Sequence, residues 1–152
     1  MKTFLKVSVL SFLITLCFSF SSVRTDPEVT IESPGYNGFE VGASMVVQGK
    51  ATVAPEQYVW VFARREDFTP LWYPQGQAIP DNSDHSWYRT VNFGEPQDIG
   101  HKFDIAIAVV NQQEHLALQR YWETAMQTRN WTPIKMPPTA VTPVERKVLK
   151  VK

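Results

Sequence analysis

The sequence predicts a mainly β protein, an antiparallel sandwich of about seven strands with one amphipathic helix inserted before the last strand. Three observations support this fold class. Short segments in which every second residue is apolar recur along the chain, as expected for strands with one buried face. Eleven prolines and seven glycines separate many of these segments and supply turns. One later segment instead repeats its apolar residues at helical spacing and lacks both Pro and Gly.

Residues 1–21 predict a signal peptide. Two lysines precede an apolar run, Val7 to Phe20, which at 14 residues is shorter than the roughly 20 that a membrane helix needs. Ser19 and Ser21 supply small residues at the −3 and −1 positions for cleavage before Ser22. We therefore expect a secreted, periplasmic or cell-surface protein that meets the membrane only through this leader. The alternative is an uncleaved N-terminal anchor.

The charge and cysteine content narrow the range of partners. The chain has 15 basic residues (Lys and Arg) and 15 acidic residues (Asp and Glu), so its net charge is zero. A neutral chain gives no electrostatic reason to expect nucleic acid as a partner. The single cysteine, Cys17, lies inside the leader. The cleaved protein would then form no disulfide and no cysteine-ligated metal site.

The first strands follow a polar linker over residues 22–28, so the predicted domain covers residues 29–152. Apolar and polar residues alternate over 29–31 and again at 39 and 41, with a turn-rich segment, Ser33 to Gly38, between them. A longer strand is predicted over Ser44–Val53, in which Gly49 suggests a bulge.

The segment Gln57–Arg64 is the strongest strand candidate. Its two faces are both apolar, which predicts a central strand covered on both sides. Tyr58, Trp60 and Phe62 form one face. We expect its neighbour in the core to be the apolar strand predicted over Lys102–Val110.

The remaining strands are shorter. A strand at Leu71–Tyr73 is predicted to end at Pro74–Gly76, because proline and glycine favour a turn. The segments Ser86–Phe93 and Val144–Val151 alternate and predict two more strands.

One helix is predicted over about residues 112–129. Asn111 is a suitable N-cap, and Glu114 follows three residues later, as in a capping box. Leu118, Trp122 and Ala125 recur at helical spacing and form an apolar face. This face is expected to dock on the protein's own sheet, the alternative being a partner molecule.

Several stretches resemble bacterial immunoglobulin-like and fibronectin-III-like modules. The resemblance is carried by Val29 to Pro34 with Gly38 and Val41, by Val46 and Gly49, and by further core stretches: Val59 to Val61, Trp72 to Gln75, Trp87 and Phe103 to Ile105. It implies a non-catalytic spacer, adhesion or ligand-binding domain. Because the shared positions are turn and core positions, the resemblance assigns no functional residue.

Catalytic and metal-binding patterns do not emerge from the sequence. The three histidines lack metal-ligand spacing and are expected at the surface: His85, His101 and His115. The segment Asp81–Asp84 lacks the spacing of a calcium loop, and no nucleophile elbow occurs. We therefore predict no enzyme activity, no metal and no cofactor. The enzymatic alternative is a small secreted hydrolase with a site assembled from Asp84, His85 and Asp98.

Aromatic residues are the best candidates for ligand binding. Adjacent rings on a strand point to opposite faces, so one member of each pair is exposed unless the helix covers it. The alternative, which we favour for these rings, is that both faces are covered and the rings belong to the core. The candidate ligand-binding residues are Trp72, Tyr73, Trp87, Tyr88 and Trp122. The sequence thus predicts an exported, non-enzymatic interaction or adhesion domain that binds a protein or surface ligand at the cell envelope. The alternative is a carbohydrate-binding module that uses exposed Trp and Tyr.

Overall fold

The computed structural model describes residues 26–138, 140 and 144–152. The predicted signal peptide, residues 1–21, and the start of the linker lie outside the described residues. The described chain contains eight strands, one α-helix and a single 3-10 turn at Pro96–Asp98. The strands are β1 Glu28–Val29, β2 Phe39–Val41, β3 Ser44–Thr52, β4 Gln57–Arg65, β5 Tyr73–Ala78, β6 Ser86–Asn92, β7 Lys102–Asn111 and β8 Val144–Lys150, and the helix α1 is Gln112–Thr128.

The strands form two sheets. The smaller sheet has the order β1-β3-β6 and the larger sheet the order β2-β8-β7-β4-β5. Neighbouring strands are antiparallel except β2 and β8, which pair in parallel. The predicted mainly β fold, with a helix before the last strand, is confirmed.

One apolar cluster draws its side chains from both sheets. The larger sheet contributes alternate residues of β4 and β7, and the smaller sheet contributes buried residues of β3 and β6. At its centre are Val47, Val61, Trp87, Val91 and Ile105. Because every second side chain of a strand points to the same face, this cluster uses one face of each sheet.

A second apolar cluster covers the opposite face of the larger sheet. Trp60 and Phe62 of β4 pack there with Ala108 of β7 and Leu118 of α1. Trp72, just before β5, belongs to the same cluster. Both faces of β4 and β7 are therefore buried, as predicted for a central strand. The predicted pairing of these two strands is also confirmed, since they are antiparallel neighbours.

The helix forms where its capping residues predict it. The side chain of Asn111 accepts a hydrogen bond from the backbone N–H of Glu114 at 2.9 Å. The helix ends at Thr128, one residue earlier than predicted, because Arg129 adopts a left-handed conformation with φ 55°. Its buried residues include Leu118 and Ala125, which place its apolar face towards the protein.

Two local predictions were wrong. The strand predicted at Leu71–Tyr73 is in fact β5, which runs through Pro74 to Ala78. Proline is tolerated because β5 is an edge strand whose only neighbour in the sheet is β4. The register of β3 with β6 continues through Gly49 without a bulge. Glycine is needed there because a Cβ would collide with the carbonyl of Thr30 and the indole of Trp87.

Candidate functional site

The predicted aromatic candidates do not form one platform. Trp72 and Trp87 are 5% and 1% exposed and belong to the clusters on opposite faces of the larger sheet. Tyr88 is 76% exposed and points away from the core on β6. Neither buried tryptophan offers a ring face to a ligand, and Tyr88 contacts no other ring in the described residues.

Trp122, by contrast, belongs to a partly exposed aromatic group. Its ring meets that of Trp131 edge-on, with centroids 4.9 Å apart and planes at 64°. The ring of Tyr121 lies edge-on to that of Trp131, with centroids 6.5 Å apart. Its hydroxyl donates to the carbonyl of Thr132 at 2.8 Å. Burial, followed by the nearby Tyr73, raises the pKa of Tyr121. The second half of α1 and the segment after it therefore build this group together.

Arg89 completes the group from β6. Its Nε donates to the carbonyl of Gln75 at 2.7 Å, and its guanidinium lies 5.0 Å from the ring centre of Trp122. We call Arg89, Tyr121, Trp122 and Trp131 the Arg89 corner. It joins the edge of the smaller sheet to the helix, across the edge strand of the larger sheet.

The path of Arg89 across β5 depends on a glycine. Gly76 has φ 119°, and a Cβ at this position would collide with the guanidinium of Arg89. Glycine satisfies both constraints, since it allows positive φ and leaves room for the arginine. The close approach also removes water from Arg89, and this burial lowers its pKa.

A bulge in β5 presents the carbonyl that Arg89 uses. Val61 pairs with Gly76 and Phe62 with Pro74, so Gln75 has no partner on β4. The side chain of Gln75 is buried, and its Oε1 accepts from the N–H of Asn92 at 2.9 Å. These hydrogen bonds hold β5 against β6 at the base of the corner.

Three arginines of the described chain stack on aromatic rings, and Arg89 differs from the other two. Arg64 lies over Trp72 and pairs with Asp104 at 2.9 Å. Arg65 lies over a phenylalanine and pairs with Asp98 at 2.7 Å. Among the described residues, no carboxylate forms an ion pair with Arg89. Arg89 is thus a partly desolvated cation that has no counter-charge among the described residues.

The other buried charges form a structural network. Asp104 of β7 is fully buried and pairs with Arg64 of β4 and with Lys147 of β8, each at 2.9 Å. Both oxygens of this carboxylate are occupied, so it ties three neighbouring strands together. Asp104 is fully buried, so its carboxylate is not accessible to a ligand.

His115 was predicted at the surface but is buried. It precedes Leu118 by three residues and therefore lies on the inward face of α1. Its Nδ1 accepts from the indole N–H of Trp60 at 3.1 Å, and its ring stacks on Tyr58 with centroids 3.7 Å apart. Burial lowers its pKa, which favours the neutral ring with the proton on Nε2.

The residues of the alternative hydrolase site lie apart. Asp84 and His85 precede β6, whereas Asp98 follows it. Seven strand residues at about 3.3 Å each separate the two ends by roughly 20 Å, too far for shared acid–base chemistry. Within residues 26–138, 140 and 144–152, no three His, Cys, Asp or Glu side chains are placed to hold a metal ion.

Within the described part of the chain, no helix has the length and apolar character to cross a bilayer.

Sequence reasoning identified Trp122 but missed Arg89, Tyr121 and Trp131. A signal for Arg89 was present, because the alternation of β6 places it on the same face as the buried Trp87 and Val91. A charged residue at an inward position requires a partner or an opening to solvent.

Comparison with known proteins adds no assignment. No model of a protein family matches the chain, and no curated protein is significantly similar to it.

Proposed function

We propose that the protein is an exported immunoglobulin-like domain with a non-enzymatic, ligand-binding function. The strand order supports an immunoglobulin-like sandwich. The smaller sheet, β1-β3-β6, corresponds to strands A, B and E, and β8-β7-β4-β5 corresponds to G, F, C and C′. The cluster that draws on both sheets fits the shared interior of such a sandwich.

The Arg89 corner is the observation that carries the interaction function. It combines partly exposed aromatic rings with a cation that forms no ion pair within the part of the chain that the structure describes. Trp131 is 37% exposed, so a large ring remains available to a ligand. Tryptophan and arginine are the residue types that most often dominate the energy of protein interfaces.

The position of the helix supports the same surface. The segment between β7 and β8, which contains α1 and Trp131, corresponds to the F–G connection of an immunoglobulin domain. In variable domains this connection contributes to the binding site. This connection, enlarged here by the helix, supplies three of the four residues of the Arg89 corner.

A protein ligand fits the corner better than a glycan does. Sugar rings need flat, accessible aromatic faces, but Trp122 and Trp131 lie at 64° to each other. One side of the Trp122 ring is also occupied by Arg89. Trp72 and Trp87, the tryptophans of the predicted glycan platform, are in the core.

The binding function is tested by affinity purification of the full chain, tagged at its C-terminus and expressed in its source cells. We compare the wild type with Trp131→Ala, Trp122→Ala and a control, Tyr88→Ala, which removes an exposed ring from the outward face of β6. The expected result is a protein recovered with wild type and with Tyr88→Ala but depleted with both tryptophan variants.

The result that contradicts this function is equally definite. Recovery of the same proteins with all four baits, or of none with the wild type, removes the Arg89 corner as a protein-binding surface. Export is checked in the same cells, because a cleaved leader gives a mature N-terminus at Ser22 in the envelope or secreted fraction. A chain that still begins at Met1 in the cytoplasm contradicts export.

A further inference from the structure

We propose that the Arg89 corner binds an acidic polypeptide segment, with a ligand carboxylate on the guanidinium of Arg89 and an adjacent apolar side chain on Trp131. This inference deepens the proposed interaction function and rests on it. It names the chemistry of the ligand: an Asp or Glu side chain, or a C-terminal carboxylate, next to an aliphatic or aromatic residue.

Arg89 has donors that make no hydrogen bond within the described residues. Its Nε is bound to the carbonyl of Gln75, but Nη1 and Nη2 make no hydrogen bond with the described residues. Neither nitrogen is sealed from solvent. A guanidinium presents its donors as a planar fork, which matches the two oxygens of a carboxylate.

Arg89 also differs from the other two ring-stacked arginines in its lack of an ion pair within the described residues. Arg64 and Arg65 lie on rings at 4.3 and 4.9 Å, much as Arg89 does at 5.0 Å, and each has a carboxylate partner. Among the described residues, two of the three ring-stacked arginines therefore have a carboxylate partner, and Arg89 has none. A ligand carboxylate would complete the same arrangement there.

The outer edge of β5 limits how a polypeptide can approach the Arg89 corner. At the start of β5 the outer edge is covered, because Trp72 and Ile134 exchange backbone hydrogen bonds at 2.7 and 2.8 Å. Further along, Arg89 occupies the carbonyl of Gln75. A ligand therefore reaches the corner through its side chains rather than by adding a strand to β5.

The test is selection from a random heptapeptide library displayed on phage, panned on the full chain and on Arg89→Gln. The matched control is Arg120→Gln, which removes the same charge from an exposed position on α1 that makes no ion pair within the described residues. We expect wild type and Arg120→Gln to enrich peptides with Asp or Glu beside an aliphatic or aromatic residue. Arg89→Gln should lose this enrichment.

A titration with single peptides makes the test independent of the protein variant. One enriched peptide and its Glu→Gln or Asp→Asn analogue are titrated into the wild type, with tryptophan fluorescence as the readout. The analogue should bind at least about tenfold more weakly, since hydrogen bonds to charged groups contribute strongly. This comparison stands even where Arg89→Gln fails to fold. Circular dichroism of each variant identifies that case.

The inference is overturned by no acidic enrichment on the wild type, by equal acidic enrichment on Arg89→Gln, or by equal affinity of a peptide and its neutral analogue. Saturable binding of oligogalacturonate in place of peptides also overturns it in favour of an acidic glycan. If purification from cells yields a partner that depends on Trp131 while the library shows no acidic preference, the interaction function stands and this inference fails.

Discussion

At the scale of single residues, Gly76 and Arg89 depend on each other. The guanidinium reaches Trp122 only because the edge strand has no side chain at position 76. The positive φ of Gly76 is in turn part of the bulge that turns the carbonyl of Gln75 towards Arg89. The site is therefore encoded by a backbone conformation as much as by its side chains.

Replacement of Gly76 by alanine tests this dependence. Gly76→Ala should lower the free energy of unfolding by about 2 kcal/mol, because φ 119° is strained for any residue with a Cβ and the guanidinium must move. Chemical denaturation measures the loss. Gly35→Ala is the control: there the added Cβ meets only an ordinary contact at 3.6 Å, and a change within about 0.5 kcal/mol is expected. Equal stability of the two variants contradicts the argument.

His115 predicts a pH dependence of stability. Burial holds its pKa in the folded protein below the value in the unfolded chain, about 6.5. The unfolded chain therefore takes up the proton first as the pH falls, so the stability present above pH 6.5 declines towards pH 5. One proton bounds this slope at about 1.4 kcal/mol per pH unit. Urea denaturation between pH 7.5 and 5 measures it.

The control for this pH dependence is His115→Gln. The glutamine oxygen can accept from the indole of Trp60 but does not titrate, so the slope between pH 7 and 5 should disappear. Carboxylates with lowered pKa, such as Asp81, lose their contribution to stability only below about pH 5, at the acid limit of this window. An unchanged slope in His115→Gln would assign the effect to another group.

At the scale of elements, the helix shows what local sequence can encode. Its start is set by one capping side chain and its end by a left-handed residue, both within the segment itself. Asn111→Ala should lower the free energy of unfolding by about 1 kcal/mol, because the N–H of Glu114 loses the side-chain acceptor of Asn111. Asn111→Ser keeps an acceptor and should cost much less. Thermal denaturation of both variants measures the difference, and equal losses would contradict the role of the cap.

The elements that could be predicted are those whose signals are local. The two apolar faces of β4 are visible in its sequence, and so is the helical period of α1. The strand β5 was mispredicted because its proline and glycine look like a turn unless the strand is known to lie at an edge. The Arg89 corner combines β6, α1 and the segment after it, so no local pattern could bring its residues together.

At the scale of the whole molecule, the larger sheet joins strands that lie far apart in the sequence. The short strand β2 pairs in parallel with β8, and β8 pairs with β7. The larger sheet is therefore complete only when residues 39–41 and 144–150 have met. Such pairing across the length of the chain makes folding depend on contacts distant in sequence, which favours slow folding.

Removal of β8 should abolish the cooperative fold. A chain ending at residue 143 leaves β2 without its partner strand and uncovers the edge of β7. It also removes Val148 from the core and Lys147 from the buried carboxylate of Asp104. We expect red-shifted tryptophan emission and no cooperative thermal transition. Deletion of Lys152 alone, which makes no hydrogen bond or ion pair in the described residues, should leave the transition within a few degrees of wild type. A cooperative transition in the chain ending at 143 would mean that the remaining seven strands and helix hold the fold without the closing strand.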